Sequence, residues 1–222
     1  MKAVRGIVPG ALFVLALATL APGFADAQTF EGIVTMKVHG TDSAREPREM
    51  QYALRQGVAR VEMAARGDAR SVMIIDQAAK TTTMLMPAQK KYMVMPIPQN
   101  VGEHRAGDHP RTEIVRTGRK ETIAGHECEH WLVKGAEHEI DACVASGLGS
   151  FMMGGRGRED AWGGLLRDQQ GFPLKVARVG GATFMEVTKI EKKSLDASLF
   201  TPPPDYQKME MPAGAPPPRQ RP

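Results

Sequence analysis

Residues 84–95 read Met84-Leu85-Met86-Pro87-Ala88-Gln89-Lys90-Lys91-Tyr92-Met93-Val94-Met95. Two short apolar runs flank Pro87-Ala88-Gln89-Lys90, the pattern of a hairpin with a four-residue loop. Pairing Met86 with Lys91 across that loop sets Met84 opposite Met93, with Met86 and Met95 on the same side. Side chains alternate along a strand, so Leu85, Tyr92 and Val94 occupy the other side. Both sides of this hairpin are largely apolar, unlike a simple sheet with one face in water.

Strand-like runs continue in both directions. They occupy 30–38, 50–55, 58–63, 72–76, 81–86 and 91–95, then 112–117, 121–123, 127–133, 137–145, 173–179 and 182–190. The run at 30–38 is rich in β-branched residues, and almost nothing in the chain repeats with helical period. Gly57 and Arg66-Gly67-Asp68 punctuate them, and Gly180-Gly181 reads as a two-residue hairpin turn. Residues 101–110 lack periodicity and read as a loop. Residues 147–171 hold eight glycines, with a short helix expected over 159–167 carrying Trp162, Leu165 and Leu166. The expected fold class is mainly β: about eleven antiparallel strands in one domain, with one short helical or Gly-rich insertion.

The ends set the compartment. Residues 1–27 read as a signal peptide, with Lys2 and Arg5 ahead of an apolar run from Ile7 to Leu20 and a small-residue cleavage site at Ala25-Asp26-Ala27. The mature chain of 195 residues starts at Gln28 and carries 27 basic and 24 acidic side chains. Its net charge of about +3 is too small, and aromatics at 5% too few, to suggest nucleic-acid binding. No further apolar run approaches the ~20 residues that span a bilayer. A periplasmic or secreted monomer is expected, with domain boundaries at 28–206 and a Pro-rich disordered tail over 207–222.

The two cysteines test the local geometry. If Gly135-Ala136 is a two-residue turn, Cys128 faces Cys143 with Cα atoms ~4.5–5.5 Å apart, inside disulfide range. An oxidising compartment favours the bond. That register puts Trp131, Val133, Ile140, Ala142 and Val144 on a core face. His126, Cys128, His130, Glu139, Asp141 and Cys143 share the other, so the disulfide is expected on a wet surface. One reading is a surface disulfide with two bystander histidines. The other is a zinc or copper site drawing on His126, His130 and Asp141 beside the cysteines. Residues four apart on a strand lie ~13 Å apart, which argues against His126 and His130 sharing an ion.

The chain holds 14 methionines. Met84, Met86, Met93 and Met95, with Met63 and Met73 on neighbouring runs, admit three readings. They fill a core, line a greasy groove for acyl chains or an apolar peptide, or offer thioethers to Cu(I). Catalytic motifs are absent: no G-K-[ST] follows the Gly-rich stretch, and no G-x-S-x-G, H-E-x-x-H or S-x-x-K occurs. No enzyme and no cofactor is expected.

Met84 to Met95 resembles the bacterial family called domain of unknown function 4412. So do Thr122-Ile123-Ala124-Gly125-His126-Glu127-Cys128-Glu129-His130-Trp131 and Gly171-Phe172-Pro173-Leu174-Lys175-Val176. The ending, Glu186-Val187-Thr188-Lys189-Ile190-Glu191 through Leu195-Asp196-Ala197-Ser198-Leu199-Phe200-Thr201-Pro202-Pro203, fits as well. The Gly-x-Pro-Leu strand and closing Leu-Asp-x-Ser-Leu-Phe are similar to the wider LolA/LolB-like group of periplasmic lipoprotein carriers. The resemblance implies a single strongly curved antiparallel sheet, an open half-barrel whose concave side holds acyl chains or apolar peptides. The expected function is therefore an exported binding or carrier module. Its partner would be an apolar ligand, such as a lipid, a lipidated protein or an envelope client. A copper-handling or stress-sensing envelope protein is the alternative, and a purely structural envelope protein a third.

Overall fold

Short turns among the described residues join the partners in five of the eleven strand pairings. In the computed structural model, residues 30–39, 46–64, 70–97, 113–134, 139–152 and 171–210 are described. The strands are β1 (Gly32–Val38), β2 (Arg48–Arg55), β3 (Val58–Ala64), β4 (Arg70–Asp76), β5 (Thr81–Met86) and β6 (Lys91–Pro96). β7 (Glu113–Ile123), β8 (His126–Lys134), β9 (Ile140–Ala145), β10 (Phe172–Arg178), β11 (Thr183–Lys192) and β12 (Gln207–Lys208) follow. They form one open sheet in the order β12-β6-β5-β4-β3-β2-β1-β11-β10-β9-β8-β7. The expected fold class, mainly β on one large unclosed antiparallel sheet, is what the structure shows. Only β12 runs parallel to its neighbour, pairing with β6 over two residues.

Two tight turns have positive φ at both central positions, Gln56-Gly57 and Ala124-Gly125. That is the backbone of a type I′ turn, whose twist matches the flanking strands. The β5–β6 loop closes as a 3-10 turn over Pro87–Gln89, with Lys90 left-handed, and gives the expected register of Met84 opposite Met93. The runs at 112–117 and 121–123 merge into β7, whose register shifts between Arg116 and Lys120.

Three sequence expectations need correction. In the β8–β9 hairpin, His130 faces Cys143 and Trp131 faces Ala142, a slip of two residues from the expected pairing. A two-residue slip keeps every side chain on its expected face, because the period is two. The Gly180-Gly181 turn is longer than two residues: Arg178 and Ala182 close it, and only Gly180 is left-handed. The tail expected from residue 207 begins instead with β12, and the Gln207 amide in it and the Met209 amide just after it donate to the Lys90 and Tyr92 carbonyls. The export signal, the 66–68 and 101–110 loops and the 159–167 helix lie outside the described residues.

The inner face carries the main core. Val34, Met36, Met50, Tyr52, Leu54, Val61, Trp131, Ala142, Val176, Met185 and Val187 belong to one buried cluster. Residues 146–152 cross over it. There Phe151 stacks on Tyr52 at 5.6 Å, and both meet Phe172 edge-on at 5.5 Å. The buried Met152 amide donates to the Tyr52 hydroxyl at 2.8 Å, so the polar end of Tyr52 is satisfied inside the core. Arg116 lies over the Trp131 ring at 4.5 Å.

The outer face of β3–β6 is covered by the C-terminal arm, residues 193–210. The Leu195 amide donates to the Glu31 carboxylate at 2.7 Å, and Asp196 caps a short 3-10 turn, Ala197–Phe200. Arg60 donates to the Leu199 carbonyl at 2.9 Å, and Tyr206 packs against Val72, Ile74 and Leu85. This arm explains the apolar outer side of the β5–β6 hairpin, since Leu85 and Tyr92 face it.

Candidate functional site

The ladder aligns the methionines across strands. Met36, Met50 and Met63 form one row over β1–β3. Val61, Met73, Met84 and Met93 form the next over β3–β6, with Thr82 opposite Met95 beside it. Both rows lie on the inner face, and their burial is graded. Met36, Met50 and Met185 are buried core, whereas Met63, Met73, Met84, Met86, Met93 and Met95 are half-buried. Met63 and Met73 pack against the margin of the main cluster. The inner face therefore has a sealed half under residues 146–152 and a half-covered, thioether-rich half over β3–β6. Unbranched side chains with three rotatable bonds and no hydrogen-bonding hydrogen can reshape around apolar groups of varied form.

A second constellation occupies the outer face of β7–β10. Cys128 and Cys143 are bonded, with Cα atoms 5.3 Å apart, joining the two strands on a diagonal. Both are buried, contrary to the wet surface expected for them. Long polar side chains surround the pair. Lys175 on β10 reaches Glu121 on β7, Nζ to Oε1 3.8 Å, over the two strands that carry the disulfide. His130, only 8% exposed, lies between two carboxylates. Its Nδ1 is 2.7 Å from Asp141 Oδ1 and its Nε2 is 3.1 Å from Glu121 Oε2. Arg119 pairs with the second oxygen of Asp141 and approaches Nδ1 at 2.8 Å. Donor atoms of Glu121, His130 and Cys143 lie within 4.8 Å of one another. An open recess of about 390 Å³ is lined by Arg119, Lys120, Glu121, His130, Asp141, Cys143, Lys175 and Ala177.

The structure thus brings His130 and Asp141 together with the disulfide. His126 stands at the Ala124-Gly125 turn, its Nδ1 3.2 Å from the Ala124 carbonyl oxygen. Glu121, Arg119 and Lys175 were not among the residues read from sequence. Glu121 was within reach of it: a two-residue Ala124-Gly125 turn places Glu121 opposite Cys128, as observed. Arg119 was not, because the irregularity between Arg116 and Lys120 breaks strand counting there. The Tyr52, Phe151 and Phe172 cluster also escaped, since it depends on a crossing segment.

Among the described residues no helix is long and apolar enough to cross a membrane. The family described as "Domain of unknown function (DUF4412)" matches residues 30–206. No curated protein matches the chain. Similar solved structures include PNGF-II in two crystal forms. The C2 form is 15% identical with a TM-score of 0.48, and the P21 form 14% identical with 0.45. Each match covers 78% of this chain and 30% of that one, so the chain spans under a third of PNGF-II. The LolA superfamily protein NE2245 from Nitrosomonas europaea is 10% identical with a TM-score of 0.32. That match covers 79% of this chain and 91% of that one.

Proposed function

We propose, for a chain that belongs to the family described as domain of unknown function (DUF4412), a non-catalytic binding or carrier role in the cell envelope. The ligand is apolar: the acyl chain of a lipid or of a lipidated protein, or an apolar envelope client. The carrying observation is the set of six half-buried methionines, Met63, Met73, Met84, Met86, Met93 and Met95, on the inner side of four adjacent strands. Burying a methylene of an acyl chain against such a surface contributes ~0.8 kcal/mol, so a chain of ordinary length supplies ample affinity. The signal peptide expected at residues 1–27 supports a site of action in the periplasm or outside the cell, where a disulfide is favoured.

Native mass spectrometry of protein purified without detergent, followed by titration with a fluorescent fatty acid, tests the reading. Co-purified lipid or saturable binding is expected, with Met84→Lys and Met93→Lys each weakening binding at least tenfold. Finding neither lipid nor binding overturns it. Titration with Cu(I) under reducing conditions separates this reading from thioether coordination, because an acyl-chain site does not depend on the soft metal.

A further inference from the structure

We propose that the disulfide face of β7–β10 is a reduction-gated Zn2+ site, in which Cys128, Cys143, His130 and Glu121 ligate the ion and Asp141 orients His130. The proposal is independent of the methionine face. In the oxidised protein the two sulfurs are spent on each other, and neither is a thiolate. Reduction by an external dithiol passes two electrons and two protons to the disulfide. It yields two thiols here and a disulfide in the donor. Zn2+ then takes the place of both thiol protons, which leave to solvent, and accepts the Nε2 lone pair of His130 in the tautomer whose Nδ1–H faces Asp141.

The surroundings already have the order of a metal centre. Metal-bound histidines generally donate their other ring N–H to a carboxylate, which fixes ring orientation. His130 has this arrangement: Nδ1 meets Asp141 at 2.7 Å, while Nε2 points to Glu121 at 3.1 Å. Asp141 is in turn held by Arg119. Cys143 stands opposite His130 in the ladder and Glu121 opposite Cys128, so the four donors come from adjacent positions on three strands. Two sulfurs, one nitrogen and one oxygen suit the tetrahedral preference of zinc. Two thiolates and a carboxylate around Zn2+ leave one excess negative charge, which Lys175, 3.8 Å from Glu121, is placed to offset. The open recess supplies the path for the ion.

The test uses the mature chain, oxidised or reduced with a phosphine that is then removed, titrated anaerobically with Zn2+ against a chromophoric chelator. Co2+ serves as a second, spectroscopic probe. The expected result is one ion per reduced chain, at least 100-fold weaker binding to the oxidised chain, and thiolate-to-cobalt absorption only after reduction. His130→Ala and Glu121→Gln should each weaken binding at least tenfold. Asp141→Asn should weaken it about 10–100-fold without removing the thiolate band, because it acts through His130. Equal affinity in the two redox states overturns the proposal. So does binding indifferent to His130→Ala and Glu121→Gln, which would mark a bare thiol pair. Circular dichroism is recorded in parallel, and loss of the sheet on reduction that Zn2+ does not reverse also overturns it.

Discussion

Tyr206→Ala should loosen the C-terminal arm and lower the stability of the whole sheet. The Tyr206 ring packs on Val72, Ile74 and Leu85, which are each at most 5% exposed with the arm in place. Truncating a fully buried large aromatic to Ala costs about 3–5 kcal/mol. Tyr206 is half-buried, so about half of that, ~2 kcal/mol, is the expected loss. With a urea m-value of about 2 kcal/mol/M, the midpoint moves down by roughly 1 M. Asp205→Asn is the matched control one residue away. Its partner is Lys90 at 2.9 Å, but both side chains are exposed, so the midpoint should hardly move. Paired urea melts followed by circular dichroism and by intrinsic fluorescence give the answer. A shift for Tyr206→Ala no larger than that for Asp205→Asn would refute the assignment of the arm as the cover of the outer face.

Acid should weaken the same arm. Hydrogen bonds from Ser198 hold the Asp196 carboxyl below its ordinary value, and Lys90 does the same for Asp205. A carboxyl with a depressed folded pKa adds stability above its unfolded value, and that stability is lost as pH falls through the folded one. Faster hydrogen exchange at the Ser198 and Met209 amides is therefore expected only below about pH 4. Asp205 raises the Lys90 pKa, so the mirror loss comes at alkaline pH, above the ordinary lysine range. The Cys128→Ala/Cys143→Ala pair should lose about 3 kcal/mol in urea melts, the chain-entropy value for a loop of this length. Two titratable thiols in unreduced protein would contradict the bond. Gly32→Ala should destabilise by about 1–3 kcal/mol, since a Cβ there collides with the Glu191 carbonyl oxygen across the β1–β11 pair. A neutral thermal melt for Gly32→Ala would show that the two strands lie further apart.

Face assignments were legible in the sequence because they depend only on alternation. The β8–β9 register was misread by two residues, yet Trp131, Val133, Ile140, Ala142 and Val144 still share the inner face with the core. Loop length, by contrast, is poorly encoded where several turns fit, as at Gly180-Gly181. Burial of the disulfide was not legible, because a sheet face looks wet or dry only once its neighbours in space are known. Lys175 and Glu121 are far apart in sequence and sit three strands apart in the sheet, yet their side chains approach within 3.8 Å across the strands that carry the sulfurs. No strand or helix was read over residues 193–206 of the C-terminal arm, and its last four residues fell within the expected Pro-rich tail. Its anchors are single contacts to Glu31, Arg60, Lys90 and Tyr92, which leave no periodic trace.

The arm and the methionine face are two sides of the same strands. Met73 and Met84 alternate along β4 and β5 with Val72, Ile74 and Leu85, so each strand is held between thioethers inside and the arm outside. The opposite half of the inner face is pinned differently, by three interlocked aromatic rings and the Tyr52 hydroxyl. Rings locked by hydrogen bonding resist reshaping, while methionines accept it. An adaptable surface still needs a rigid backbone behind it, or the strands would move with each ligand and binding would carry the cost of ordering them. The arm supplies that backing for β3–β6. Tyr206→Ala should therefore weaken binding of a fluorescent fatty acid about three- to tenfold, although Tyr206 lies on the far side of the sheet from the methionines. Unchanged affinity in a folded Tyr206→Ala protein would show that the methionine face keeps its shape without the arm.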